Sequence, residues 1–172
     1  TKGGTLTFDG TGNLTDNTAS LQDLGALSIS NNSTRTQTTA AKMTSLTIAS
    51  GSTYDIAGNA FNFSASNTVA NSGTFRLQGT SIETLTNVTN LGTAAGTVVY
   101  YGRNVAETIT IKSFGGGTTT DYYNLTINDT NTNKATYVLG NALTLAGTAA
   151  GALTIASGDT FDLVGNNFSF SA

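Results

Sequence analysis

The stretch "SLTIASGSTYDIAGNAFNFSA" at Ser45–Ala65 decides the fold, because it returns as "ALTIASGDTFDLVGNNFSFSA" at Ala152–Ala172. Aligned from Leu46 against Leu153, fourteen of twenty positions are identical. Upstream, "GTLTFDG" from position 4 matches "GTVVYYG" from position 96, and "ALSISN" from 26 matches "NLTIND" from 124. The spacing between matched segments drifts, which is typical of stacked repeats joined by loops of variable length.

These matches predict one repetitive segment over residues 1–172. It carries two copies of a repeat of about 100 residues, roughly 4–95 and 96–172, with the second copy truncated. "SGTFRLQG" at Ser72–Gly79 follows the first copy of the long stretch, whereas the second copy stops at Ala172. We therefore expect the sequence to be a window of a longer chain.

The composition favours short strands and tight corners. Of 172 residues, 34 are Thr and 20 are Gly, only 10% are charged, and Pro, Cys, His and Trp are absent. Thr is favoured on pleated surfaces and Gly in turns, so we expect almost no helix. A net charge of −3 without a Lys/Arg cluster argues against nucleic acid as a partner. The segment contains no apolar run long enough to span a membrane.

A triplet of apolar, small polar and apolar residues recurs along the chain. Examples are Leu6-Thr-Phe8, Leu27-Ser-Ile29, Leu46-Thr-Ile48, Leu125-Thr-Ile127, Phe161-Asp-Leu163 and Phe168-Ser-Phe170. Alternation with period two places both outer residues on one face of a strand and the middle residue on the other. Each triplet therefore predicts a short strand whose apolar pair faces a core.

Two all-β architectures fit such strands: a parallel β-helix, or β-solenoid, and an antiparallel β-sandwich. The internal similarity favours the solenoid, because each coil then packs on neighbours like itself. Leu6 and Leu27 are 21 residues apart and Leu27 and Leu46 are 19 apart, a plausible coil length. About eight coils, each rising roughly 4.8 Å, predict a rod about 40 Å long.

Several of these segments also resemble a known class of protein. "YYNLTIND" from Tyr122, "ALTLAG" from Ala142, the long stretch after Leu153 and the segment at Ser72 are similar to the β-strand repeats of large bacterial surface proteins. Filamentous haemagglutinin-like adhesins and autotransporter passengers belong to that class. The resemblance covers nearly the whole chain and implies an exported, extended, right-handed parallel β-helix at a cell surface or in an extracellular fibre. It implies no particular ligand.

The residue types exclude most catalytic machinery. Without His or Cys, neither a Ser-His-Asp nor a Cys-His arrangement is available, and the usual zinc sites are excluded as well. Parallel β-helices that act on carbohydrates need clustered carboxylates, whereas the ten acids here are dispersed. We therefore expect no enzyme, no catalytic residues and no cofactor, and keep a carbohydrate-active β-helix as the second alternative. The pairs Asp159/Asp162 and Asp121/Asp129 leave weak calcium binding open.

The middle residues of the triplets give the candidate surface. Six of them are Thr and would point outward, so stacked coils would bring them into a ladder of hydroxyl groups: Thr7, Thr47, Thr110, Thr126, Thr144 and Thr154. A flat Thr array suits ice, and an outward Thr/Asn face suits a glycan. Thr is also the commonest way to combine strand propensity with solubility. A binding module is accordingly the first alternative function.

The function expected from these observations is structural. The chain is predicted to be a non-enzymatic segment of an extracellular or cell-surface fibrous protein such as an adhesin, a surface layer or a filament. Its expected partners are copies of itself or adjacent repeats of the same chain, because the end coils of a solenoid leave unpaired strand edges. A glycan or a host surface is a further possible partner.

Overall fold

The computed structural model describes residues 4–115, 119–146 and 152–171. Across those residues every regular element is a strand, and all strand pairs are parallel, stacked as a β-solenoid of about seven turns. The all-β parallel prediction is therefore confirmed, the antiparallel sandwich is wrong, and the coil number is slightly lower than the eight expected. No helix in the described part of the chain is long and apolar enough to cross a membrane.

Nineteen short strands make up the described coils. Their bounds are β1 Thr5–Phe8, β2 Gly12–Leu14, β3 Ala26–Ile29, β4 Thr34–Gln37, β5 Ala41–Met43, β6 Ser45–Ile48, β7 Thr53–Asp55, β8 Phe61–Thr68, β9 Ala70–Asn71, β10 Thr74–Leu77, β11 Leu85–Asn90, β12 Thr97–Tyr100, β13 Thr108–Ile111, β14 Asn124–Ile127, β15 Thr136–Leu139, β16 Leu143–Leu145, β17 Leu153–Ile155, β18 Thr160–Asp162 and β19 Phe168–Phe170.

The strands form five parallel sheets that run along the rod. Sheet A is β1-β3-β6-β9, sheet B is β2-β4-β7-β10-β12-β14-β17, and sheet C is β5-β8-β11. Sheet D is β13-β15-β18 and sheet E is β16-β19. Most coils contribute three strands, such as β3-β4-β5 and β17-β18-β19, so the rod is three-sided in cross-section. Sheet B provides one continuous side through all seven coils.

The spacing of the triplets sets the register between coils. Leu6 pairs with Leu27, and Leu27 pairs with Leu46, so the 21- and 19-residue separations read from the sequence are coil lengths. The apolar residues of each triplet are inward: Leu27, Ile29, Leu46 and Ile48 are at most 1% exposed. Burying a Leu or Ile side chain contributes roughly 1.5–3 kcal/mol, so a column of such residues stabilises every coil against its neighbours.

Aromatic rings occupy the centre of the core. Tyr54, Phe61 and Phe75 are 0% exposed and contact one another with ring centroids 5.6–6.0 Å apart. Phe61 also meets Phe63 edge-to-face at 5.1 Å. Offset and edge-to-face contacts of this kind add about 0.5–1.5 kcal/mol per pair beyond the area they bury. The first copy of the long stretch therefore contributes three of these four core rings.

The two copies of the stretch build the same corner. In "DIAGN", Ala57 has a φ of 46° and Gly58 of 84°; in "DLVGN", Val164 has 50° and Gly165 has 76°. Two successive left-handed residues reverse the chain sharply, which is the geometry that Gly and Asn supply most readily. The corner is then closed by a backbone hydrogen bond, from Asn59 to Ile56 at 2.9 Å and from Asn166 to Leu163 at 2.8 Å.

The same Asn side chain also ties each corner to the preceding coil. Nδ2 of Asn59 donates to the carbonyl oxygen of Gln37 at 3.0 Å, and Nδ2 of Asn166 donates to that of Leu139 at 2.7 Å. A carbonyl at the end of the lower strand would otherwise lose its partner where the sheet stops. The repeated Asn therefore connects coils as well as turning the chain.

The end coils differ from the interior. Leu6 in β1 is 46% exposed, and Ile155 and Phe170 in the last coil are 43% and 40% exposed, although their triplets match the inward pattern. Leu163 is 40% exposed and lies just past β18, so the expected inward pair Phe161/Leu163 is only half realised. These side chains occupy core columns, and the described coils pack on them from one side.

The two copies do not lie on the same side of the rod. The first copy places Leu46–Ile48 in sheet A and Thr53–Asp55 in sheet B, whereas the second places Leu153–Ile155 in sheet B and Thr160–Asp162 in sheet D. The upstream matches show the same offset: β1 and β3 lie in sheet A, and their counterparts β12 and β14 lie in sheet B. The second copy is thus turned by one side about the rod axis.

Candidate functional surfaces

The six Thr residues proposed from the sequence are distributed over four sheets. Thr7 and Thr47 lie in sheet A, Thr126 and Thr154 in sheet B, Thr110 in sheet D and Thr144 in sheet E. All six are at least partly exposed, so their outward direction is as expected. Thr126 pairs directly with Thr154, whereas Ser28 separates Thr7 from Thr47. The six therefore do not form one ladder, because the second copy is turned relative to the first.

The structure instead aligns a different set of Thr residues. On sheet B, successive partners in one outward column are Thr34, Thr53, Thr74 and Thr97, and the column continues to Asn124. On sheet D, the corresponding column is Thr108, Thr136 and Thr160. Each of these residues is the first residue of its strand. Sequence reasoning missed them because it searched the middle of each triplet, although a Thr directly before the triplet was a visible signal.

A charged cluster lies beside the Thr column of sheet B. Oδ2 of Asp55 is 3.7 Å from a guanidinium nitrogen of Arg76, and the Tyr101 hydroxyl donates to Oδ1 of Asp55 at 3.0 Å. The Arg76 guanidinium also covers the Tyr101 ring at 4.5 Å from its centroid. Partial burial, together with the nearby carboxylate, raises the pKa of the Tyr101 hydroxyl. The three side chains therefore partner one another beside the Thr column.

Asp55 and Asp162, the equivalent carboxylates of the two copies, both cap corners. Oδ1 of Asp55 accepts a hydrogen bond from the backbone N–H of Ala57, and Oδ1 of Asp162 accepts one from Val164, each at 2.9 Å. An Asp that bonds the backbone two residues onward is a standard device for starting a turn. Both carboxylates therefore stabilise the corner that follows their strand.

The carboxylates considered for calcium are occupied by hydrogen-bond donors. Asp121 is 0% exposed; its Oδ1 accepts from Phe114 N–H at 2.6 Å and its Oδ2 from Thr144 N–H at 2.8 Å. Asp129 is 1% exposed and accepts from Ala135, Asn131 and the Tyr137 hydroxyl. In the described part of the chain, no group of three or more acidic side chains is placed to hold a metal ion.

Ionisation of Asp129 is favoured by these donors. Its burial alone would raise the pKa, but the hydrogen bonds from Ala135, Asn131 and Tyr137 outweigh it and lower the pKa of the carboxyl below its usual 3.8. Because it is charged and bonded to backbone N–H groups, Asp129 fixes the loop between β14 and β15.

Lys134 forms an ion pair with Asp159, which lies in the next coil. Its Nζ is 2.6 Å from Oδ1 of Asp159 and 3.0 Å from the carbonyl oxygen of Ser157. The Asp159 carboxylate is fully buried, and its Oδ2 accepts from Asp129 N–H at 2.9 Å. This ion pair therefore joins the β14–β15 loop to the corner that follows β17.

Glu83 is part of the lining of a small cavity. It accepts backbone hydrogen bonds from Gly58, Gln78 and Gly79, and burial raises its pKa. The neighbouring cavity of about 110 Å³ is also lined by Thr80 and Lys112. It is smaller than the roughly 300–1,000 Å³ of typical ligand pockets, so it suits a few water molecules. The Glu83 oxygens are engaged in holding two corners together.

A second groove lies where sheet A ends at β9. It measures about 280 Å³ and is lined by Thr68 to Ser72 and by Gly92 to Ala95. None of these lining residues carries a titratable side chain.

Comparison of the chain with protein-family models, with curated proteins and with solved structures gave no match.

Proposed function

We propose that this chain is a non-enzymatic structural segment of an extracellular or cell-surface fibrous protein, such as a bacterial adhesin, a surface layer or a filament. The observation that carries the proposal is the uninterrupted parallel stacking of about seven coils around one buried core. Backbone hydrogen bonds between coils run along the rod axis, so the fold supplies length and stiffness directly. The resemblance to surface-protein repeats supports the extracellular setting.

The use of the polar side chains also supports a structural role. Asp55, Asp121 and Asp129 are nearly buried and bind backbone N–H groups at corners. Asn59 and Asn166 bind carbonyl oxygens of the preceding coil. Buried polar groups that are fully hydrogen-bonded fix a unique conformation. These residues stabilise corners and intercoil contacts, which is the work a rod requires.

Electron microscopy of source cells labelled with an antibody raised against this chain tests the proposal. We expect gold particles along thin fibres or a layer outside the cell, and no labelling with pre-immune serum. X-ray fibre diffraction of the isolated material should add an axial reflection near about 4.8 Å. Label confined to the cytoplasm, or to discrete globular particles, would refute the structural role.

The Thr column of sheet B favours a second candidate, a binding surface for ice or a glycan. Thr34, Thr53, Thr74 and Thr97 follow one another at the strand spacing of roughly 4.8 Å. The adjacent column contains Asp55 and Arg76, which break its regularity. Thermal hysteresis in solution, abolished by Thr53→Tyr, would establish the ice-binding function; its absence in the unsubstituted chain would exclude ice.

A further inference from the structure

Glu83 is a buried carboxylate that ties two successive coils together in the interior of the rod. Its Oε1 accepts a hydrogen bond from the backbone N–H of Gly58 at 2.6 Å, in the corner of the preceding coil, and another from Gln78 at 2.9 Å. Its Oε2 accepts one from the N–H of Gly79 at 2.5 Å. The residue as a whole is 8% exposed. The Glu83 junction, formed by Gly58, Gln78, Gly79 and Glu83, therefore joins one coil to the next.

No cation is paired with this buried carboxylate. The ion pairs found in the described part of the chain do not include Glu83. A carboxyl group that is removed from water favours its neutral form, whereas hydrogen bonds from N–H groups favour the charged form. At Glu83 burial outweighs the three N–H donors, and the negative charge of Asp55 acts in the same direction as burial. The pKa of Glu83 is therefore raised above its usual 4.5.

The charged and titratable groups around the junction come from four neighbouring elements: Asp55 of β7, Arg76 of β10, Tyr100 and Tyr101 at the end of β12, and Lys112 directly after β13. Asp55 and Arg76 pair with each other. Burial raises the pKa of both tyrosine hydroxyls, so they stay neutral at neutral and acidic pH. The Lys112 ammonium lies over the Phe114 ring, 5.8 Å from its centroid. Protonation is therefore the direct way to neutralise Glu83.

The junction also contains a group that can accept the added proton. Thr80 is 6% exposed, and its Oγ1 is buried without a hydrogen-bond partner in the chain. A turn in which Glu83 N–H donates to the Thr80 carbonyl at 3.1 Å brings both residues to the lining of the cavity of about 110 Å³. Oε2 of Glu83 accepts one N–H bond and Oε1 accepts two, so Oε2 has room for a proton. A protonated carboxyl donates a hydrogen bond that a hydroxyl oxygen accepts, directly or through a water molecule.

We propose that Glu83 is a proton-operated latch: on mild acidification its Oε2 takes up a proton, donates a hydrogen bond into the cavity towards Thr80, and holds the two coils together more firmly. The step binds one proton from solvent and changes no bond to carbon. A carboxyl that is protonated more readily in the closed junction than in the open one stabilises the closed form at low pH. That stability is lost as the pH rises through the pKa of the closed form. The latch goes beyond the structural role proposed above and does not depend on it.

Nuclear magnetic resonance of the unsubstituted chain tests the latch directly. The carbon-13 shift of the Glu83 carboxyl, followed against pH, should titrate with a midpoint above 4.5. Hydrogen exchange at the amides of Gly58, Gln78 and Gly79, corrected for the pH dependence of the intrinsic rate, should slow several-fold between neutral pH and about pH 4.5. A midpoint at or below 4.5, or protection that does not rise on acidification, would overturn the proposal.

Glu83→Gln removes the titrating group and keeps its size. The amide nitrogen cannot accept the Gly79 N–H bond, so the informative readout is the pH dependence and not the absolute stability. We expect the protection of Gly58 and Gln78 to become independent of pH in this variant. Glu107→Gln is the matched control, because Glu107 is the other glutamate of the chain and pairs with Arg103 away from this cavity. This control should retain the full response to acid.

Thr80→Val tests the hydrogen-bond acceptor. The substitution keeps the shape of the side chain and removes the hydroxyl, so the protonated carboxyl loses its partner and the midpoint of Glu83 should move towards the usual 4.5. Thr110→Val is the matched control, since Thr110 also lines the cavity but is exposed, and it should leave the midpoint unchanged.

The variants and the unsubstituted chain decide the question together. An acid response that survives in Glu83→Gln, or that is lost in Glu107→Gln, would overturn the latch. An unchanged midpoint in Thr80→Val would overturn the role of Thr80 as the acceptor. Circular dichroism shows whether each variant has folded. If Glu83→Gln does not fold, the carboxyl midpoint and the amide protection of the unsubstituted chain still decide for or against the latch.

Discussion

The hydrogen bond between Tyr54 and Gln37 offers a sharp test of how the core of this solenoid is specified. The Tyr54 hydroxyl donates to Oε1 of Gln37 at 2.9 Å, and Nε2 of Gln37 donates to the Ala60 carbonyl at 2.7 Å. Both side chains are 0% exposed. In the second repeat, Phe161 and Leu139 take the equivalent places, because β15 pairs with β18 as β4 pairs with β7. At equivalent places, one repeat thus has the hydrogen-bonded pair Tyr54/Gln37 and the other has the apolar pair Phe161/Leu139.

The magnitudes follow from the burial of both groups. Tyr54→Phe removes the hydroxyl and leaves Oε1 of Gln37 buried without its donor, which costs about 1–2 kcal/mol. Gln37→Leu leaves the Tyr54 hydroxyl unpaired and removes the bond to Ala60, which costs about 1.5–2.5 kcal/mol. Ala60 keeps a second donor, the N–H of Ala41 at 3.1 Å. The double variant reproduces the Phe161/Leu139 pair, so it should cost about 1.5 kcal/mol rather than the sum.

Urea unfolding followed by circular dichroism measures the free energy of unfolding of the four proteins. We expect a coupling free energy of about 1.5–2 kcal/mol, with the double variant more stable than the two single costs predict. The reciprocal change, Phe161→Tyr, should cost little, because Phe161 is only partly buried in the last coil. Strictly additive costs would refute the reasoning, since they would mean that the two side chains do not depend on each other.

Three further predictions concern corners and charge. Asp55→Ala should lower the free energy of unfolding by about 1–2 kcal/mol, and Asp162→Ala should lower it by less. The buried Asp55 accepts hydrogen bonds from a backbone N–H and a tyrosine hydroxyl, whereas the exposed Asp162 accepts one from a backbone N–H. Equal losses in urea unfolding would contradict this prediction. Val164→Gly should raise the thermal midpoint, since a left-handed β-branched residue costs about 1–2 kcal/mol, whereas the control Val105→Gly should lower it. The Asp129→Asn variant should be less stable than the unsubstituted chain at neutral pH, and the difference in the free energy of unfolding should shrink as the pH falls below about 4. The pKa of Asp129 is lowered in the folded chain, so its charged form contributes stability that is lost when the carboxylate is protonated. A pH-independent difference would exclude the charge as its cause.

The coil could be predicted because it depends on local patterns. Alternation in Leu27-Ser-Ile29 and Leu46-Thr-Ile48 fixes which side chains face inward, and the similar spacing of the triplets fixes which residues stack. The corner "DIAGN" was visible as well, because Gly58 and Asn59 favour a sharp reversal. These features require only residues that lie within one coil or directly above it.

The outer surface could not be predicted, because it depends on how many sides the chain passes between matched strands. Sheet A ends with the two residues of β9, Ala70 and Asn71. In the next coil, the segment between β11 and β12 contains the fully buried Leu91 and accepts a hydrogen bond at Gly92, but it forms no strand. No alternating pattern marks such a side. The count of sides, and with it the alignment of outward residues such as Thr53 and Thr74, appears only in the folded chain.

That count explains why the two repeat copies are offset. Before β12, which begins the second copy, the chain passes the eleven strands β1 to β11, the Asp23 bridge that pairs with Lys42, and the strandless side at Leu91, which makes thirteen sides. Thirteen is one more than a multiple of the three sides of a coil, so the second copy is turned by one side relative to the first. An outward residue in the first copy and its counterpart in the second copy therefore lie on different sides of the rod. For this reason the six expected Thr residues are spread over several sheets. Inward residues are insensitive to this rotation, because every side contributes to the same core. The repeat thus preserves the packing of the rod but does not keep its repeated outward Thr residues on one face, which favours the proposed structural role over a ligand-binding lattice built from those residues.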